Sequence, residues 1–87
     1  MTKIYIYCLF ERDGALHGVY SSLKAAHSDA LKLANVGGRG VYINHDDKSI
    51  SPNLRLIRKI FAGEFDVKVS YFSDNGAVNI LKTKLKE

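Results

Sequence analysis

Apolar and polar positions change rhythm several times along the chain, and each rhythm predicts an element. Between Val19 and Gly40 the apolar residues Leu23, Ala26, Ala30, Leu33 and Ala34 recur at spacings of three and four, the period of one helix face. Ser21 or Ser22 stands where a side chain accepts a backbone N–H at a helix start, and Gly37 and Gly38 can take the positive φ that ends one. The alanine-rich stripe is narrow enough to lie close against a flat apolar surface. Lys24, Asp29 and Lys32 fall on the solvated side, with His27 on the boundary.

The segments on either side alternate with a period of two. In Lys3 to Phe10, Ile4, Ile6, Cys8 and Phe10 face one way while Tyr5, Tyr7 and Leu9 face the other, which predicts a strand apolar on both sides and central in its sheet. Glu11-Arg12-Asp13-Gly14 is a hairpin turn because Asp-Gly readily takes positive φ, and Ala15 to Tyr20 returns antiparallel. After the helix, Gly40 to Asn44 reads as a short strand and His45 to Ser51 as a polar turn. Ser51 as a cap with Pro52 at the first helical position opens a second helix that runs to about Ala62 and ends at Gly63. Phe65 to Phe72 alternates, Ser73 to Gly76 turns, and Ala77 to about Leu85 forms the final strand. The expected architecture is α+β in the order ββαβαββ: a single domain over residues 1–87, a two-layer sandwich with a mostly antiparallel sheet and both helices on one face.

Composition narrows the function classes. A chain of 87 residues buries only about 60% of its unfolded surface, so stability is expected to be modest. It has no run of about 18 apolar residues and no secretory signal pattern, which points to the cytoplasm. Cys8 is the lone cysteine, leaving no internal disulfide and no CxxC zinc pair. The net charge of +4 is unevenly placed. Through Asp47 the charges balance, whereas from Lys48 onward Lys48, Arg55, Arg58, Lys59, Lys68, Lys82, Lys84 and Lys86 stand against Glu64, Asp66, Asp74 and Glu87.

That asymmetry directs attention to the C-terminal half. Arg55, Arg58 and Lys59 share one face of the second helix, opposite Leu54, Ile57 and Phe61, and such a line can follow a phosphate backbone or dock on an acidic protein. Lys82, Lys84 and Lys86 share one side of the final strand, where they extend the same patch or protect a sheet edge from unwanted pairing. Arg39, in Gly37-Gly38-Arg39-Gly40, is an exposed contact at most. Those glycines follow a helix rather than precede one, so the negative end of its dipole opposes anion binding. If Ile4, Ile6, Val41, Ile43, Val67 and Val69 face the helices, then Tyr5, Tyr7, Tyr42, Lys68 and Phe72 face outward, either to stack unpaired bases or to form a homodimer.

Catalysis has little to stand on. His17, His27 and His45 lie on three different elements, and His45-Asp46-Asp47 cannot surround one metal ion, so no metal and no cofactor is expected. A small basic ribonuclease using one histidine with Lys or Arg remains an alternative to a non-enzymatic binder. The opening arrangement, Lys3 to Phe10, the turn at Glu11 to Gly14, and Gly18-Val19-Tyr20-Ser21-Ser22 leading into an alanine-rich helix, resembles that of small phage-encoded accessory proteins over roughly the first 35 residues. The resemblance implies stoichiometric work in the host cytoplasm, blocking a defence system, a toxin or a polymerase, in some cases together with RNA. The leading expectation is thus an inhibitor or accessory protein that contacts RNA or an acidic host protein through its basic C-terminal surface. A homodimeric module using the tyrosine-rich sheet face is the alternative.

Overall fold

In the computed structural model, residues 5–35, 40–45, 47–62, 67–73 and 76–84 are described. Strands β1 (Tyr5–Phe10) and β2 (Leu16–Tyr20) form the first hairpin, followed by helix α1 (Leu23–Ala34). Then come β3 (Ile43–His45), β4 (Lys48–Ile50), helix α2 (Leu54–Ile60), β5 (Val67–Ser73) and β6 (Gly76–Lys84). The chain is α+β and keeps the expected order, with one strand added. Four strands form an antiparallel sheet in the order β2-β1-β6-β5, while β3 and β4 form a separate antiparallel ribbon. Beside the ribbon, Tyr42 bridges to Phe72 of the main sheet, the two exchanging backbone hydrogen bonds of 2.9 and 2.8 Å, and Ile43 of β3 joins the core.

The hairpin turn forms as its sequence requires. Gly14 takes φ +90, and Ala15 N–H donates to Asp13 Oδ1 at 2.9 Å. At the start of α1, Ser22 Oγ accepts from Ala25 N–H. The helix ends earlier than expected, at Ala34 with Asn35 as the C-cap. The expected terminators Gly37 and Gly38 lie outside the described residues. α2 is capped by Asn53, whose Oδ1 accepts from Leu56 N–H at 2.9 Å, so Ser51 is not the cap and Pro52 precedes the helix rather than opening it. The polar stretch expected as a plain turn holds β4, because Asp47 takes φ 63 and turns the backbone sharply enough to pair His45 with Lys48.

Register decides which side of the sheet is which. Tyr7 pairs with Lys82 and Lys82 with Val67; Leu9 pairs with Ile80 and Ile80 with Val69; Val78 pairs with Tyr71. These residues share one side, and Leu9, Val69, Tyr71, Val78 and Ile80 join Ala26, Ala30 and Ala34 of α1 and Ile57 and Phe61 of α2 in a single core. His27 of α1 meets Tyr71, while Phe61 meets the edge of Tyr7, so residues of both helices reach that side.

Each helix ends against a cation delivered by the sheet. Arg12, in the β1–β2 turn, donates from Nη2 to the carbonyls of Leu33 and Ala34 at 2.7 and 3.3 Å, at the C-terminus of α1. Lys82 Nζ donates to the Phe61 carbonyl at the C-cap of α2 and lies 4.4 Å from the centroid of the Tyr5 ring. Both contacts satisfy carbonyls that have no partner within the helix, and both place positive charge at the negative end of its dipole.

Candidate functional site

The contact between Lys82 and Phe61 brings the end of α2 to the end of β6. Arg55, Arg58 and Lys59 are exposed on α2, with Arg58 and Lys59 in its last turn, while Ile57 and Phe61 of the opposite face are buried. Lys84 stands two residues beyond Lys82 on the same side of β6, about 6.6 Å further along the strand, and is exposed. No carboxylate pairs with Arg55, Arg58, Lys59 or Lys84 among the described residues. Arg55, Arg58 and Lys59 on α2 and Lys84 on β6 are thus exposed on two elements that the Lys82–Phe61 contact ties together. Lys86 and Arg39 lie outside the described residues.

Two expectations about this region are corrected. Lys82 is not a surface cation: it retains 8% exposure, with its ammonium group turned onto the Phe61 carbonyl. Nor does β6 lie at an edge where lysines would deter pairing, since β1 and β5 flank it on both sides. The signal was present in the chain, because Lys82 is in phase with Val78 and Ile80, both fully buried.

The expected outward set of Tyr5, Tyr7, Tyr42, Lys68 and Phe72 divides in two. Tyr5 and Tyr7 share the inner side with Leu9: Tyr7 packs on the core and Tyr5 lies against Lys82. Ile6, expected to face the helices, points the other way with Cys8 and Phe10. Tyr42 and Phe72 do lie outside, their rings stacked at 5.6 Å, and Lys68 shares that side. A platform of several tyrosines is thereby removed.

The histidines occupy three unlike settings. His27 is buried in the core, its Nδ1 2.7 Å from Tyr71 Oη with one proton between them. Burial pushes the Tyr71 phenol well above its usual range and lowers His27 below its own, so both groups stay neutral near pH 7. His17 is exposed 3.5 Å from Glu11 and lines an open groove of about 300 Å³ with Asp29, Lys32 and Leu33. Beside it Tyr20 donates to Asp29 Oδ2 at 2.7 Å, and its phenol is pushed up to about 12, first by burial and then by the Asp29 carboxylate. His45 lines a different groove, with Ile60, Lys68 and Phe72. Among the described residues no three His, Cys, Asp or Glu side chains are grouped to hold a metal ion. Among the same residues no helix is long and apolar enough to cross a membrane.

Comparison of the chain with protein-family models, with curated proteins and with solved structures gives no significant match.

Proposed function

We propose that this is a non-enzymatic binding protein that engages RNA through the basic end formed by Arg55, Arg58, Lys59 and Lys84. It acts by occupying its target in stoichiometric amounts, as the resemblance to phage accessory proteins implies. The observation that supports this reading is the exposure of Arg55, Arg58, Lys59 and Lys84 on two elements tied together by Lys82, with no carboxylate paired to them among the described residues. Cations spaced along one helix face suit a row of phosphates. Because Tyr5 and Tyr7 face inward, the surface supplies charge without base-stacking rings, so recognition follows the phosphate backbone rather than base identity.

A mobility-shift titration with single-stranded RNA at several salt concentrations tests the proposal. Three to four phosphate contacts give a log–log slope of about −2 to −3, at about −0.7 per contact on single strands. Joint replacement Arg55→Glu, Arg58→Glu and Lys59→Glu is expected to abolish retention with the circular-dichroism spectrum unchanged, because all three side chains are exposed. Absence of retention by the unaltered protein at low salt sinks the RNA reading. Capture of an acidic protein that survives nuclease treatment would then assign the same surface to a protein partner.

A further inference from the structure

The side of the sheet turned away from the helices is apolar over β1 and β2, while Lys68, Ser70, Asn79 and Thr83 stand among apolar residues over β5 and β6. Val19 is paired with Cys8 and Cys8 with Leu81, so these three share the side opposite Leu9, together with Ile6, Phe10 and Phe72. None of the six belongs to the core cluster or packs against it, and Val19 is 53% exposed. The Cα trace is only 18 Å deep along its shortest axis, room for the sheet and one layer of helices. We propose that this face is the contact surface of a symmetric dimer, with a second copy of the chain as its occupant.

Local structure enlarges the face. Strict alternation along β2 would send Leu16 to the helix side with Gly18. The register shifts between Leu9 and Phe10, so Leu9 opposes Gly18 and Phe10 opposes Leu16, with His17 as the extra residue. The bulge thus turns Leu16, 55% exposed, to the same side as Val19. Two exposed apolar residues on an edge strand expose the molecule to unwanted contacts unless something covers them.

Charge and area select the occupant. Among the described strand residues on this side, Lys68 on edge strand β5 is the sole charged one, and Ser70 Oγ already donates to Asn79 Oδ1 in the facing pair. An acidic or phosphate-rich partner finds little to pair with here, whereas an identical apolar face is self-complementary under two-fold symmetry. Four strands about 4.8 Å apart and about six residues long span roughly 20 by 20 Å. Side chains standing on that area, with Leu16 and Tyr42 at its margins, bring the accessible surface toward the about 800 Å² per partner of a stable interface. Face-to-face packing would leave α2 and its cations outward on both copies, making the assembly bivalent for a long anionic strand.

Sedimentation equilibrium of the full chain from about 1 μM to 1 mM is expected to show a monomer–dimer equilibrium with a dissociation constant of about micromolar order. Leu81→Lys, at the centre of the face, and Val19→Lys, at its exposed margin, should each weaken association at least about tenfold. Val19→Lys keeps the test valid if Leu81→Lys fails to fold. Cys8 is the lone cysteine and lies on a central strand, so a short bismaleimide should link two copies across sheets about 10 Å apart. A monomer throughout the range overturns the proposal, and so does a monomer whose open face adsorbs to phosphatidylcholine–phosphatidylglycerol vesicles. A dimer insensitive to both substitutions overturns it equally. The variant with Arg55, Arg58 and Lys59 replaced by Glu should still dimerise, so failure of the RNA reading is separable from failure of this one.

Discussion

Lys82 combines two environments that rarely favour an ammonium group: it is almost fully buried, yet the end of a helix and an aromatic face lie within reach of its charge. The Phe61 carbonyl accepts from it, the α2 dipole points its negative end toward it, and the Tyr5 ring offers its negative face. Lys82→Met keeps most of the stem but leaves that carbonyl without the ammonium donor. The expected loss is about 1–3 kcal/mol of stability, and for a domain of this size each kcal/mol lowers Tm by about 4–8 °C. Lys84→Met, two residues further on and exposed, should change stability by less than about 0.5 kcal/mol. Thermal melts of the two variants check the contrast, and equal shifts would contradict the capping role. In sequence the two lysines look alike and share the phase of Val78 and Ile80; only the position of α2 separates them.

At the scale of elements, both helices are short and owe their ends to the sheet. Arg12 reaches past Gly76, where a Cβ would stand 3.5 Å from its Cδ, to close the last turn of α1. Arg12→Ala should therefore cost about 1 kcal/mol and accelerate amide exchange in Leu33, Ala34 and Asn35, leaving β1 and β6 unchanged. Uniform acceleration across the sheet would instead mark Arg12 as a general packing residue. The elements themselves were legible because their periods are clean: α1, both hairpins and the basic face of α2 follow from the spacing of apolar residues. β4 was not, since Lys48-Ser49-Ile50 is held by backbone pairing with β3 and has one inward apolar residue, Ile50, opposite Ile43. The facing of β1 was also hidden. Tyr5, Tyr7 and Leu9 are as apolar a set as Ile6, Cys8 and Phe10, and alternation alone cannot say which set meets the helices.

For the whole molecule, the buried His27–Tyr71 pair links folding to pH. In the unfolded chain His27 titrates near 6.5, while in the folded protein burial lowers it. Above about pH 6.5 the imidazole is neutral in both states, so its contribution to stability is fully present. Below that, the unfolded chain takes up a proton that the folded chain refuses, and stability falls as pH falls toward the folded pKa. Tm is therefore expected to drop between pH 7 and pH 5 more steeply for the native protein than for His27→Gln, which does not titrate there. Parallel profiles would show that other groups govern acid sensitivity. The setting of the basic residues was legible only in part at this scale. Charge asymmetry placed the excess in the C-terminal half, but which lysine of β6 reaches α2 depends on a strand order, β2-β1-β6-β5, that no local pattern encodes.

That strand order also governs how the chain emerges during synthesis. β6 lies between β1 and β5, although β1 leaves the ribosome some seventy residues earlier. The first hairpin and α1 must therefore wait, with Leu9 and the α1 alanines in water, until Gly76–Lys84 clears the exit tunnel and zips the two halves together. Closing the sheet is consequently the decisive and slow step of folding, because the loop that must close between β1 and β6 is long.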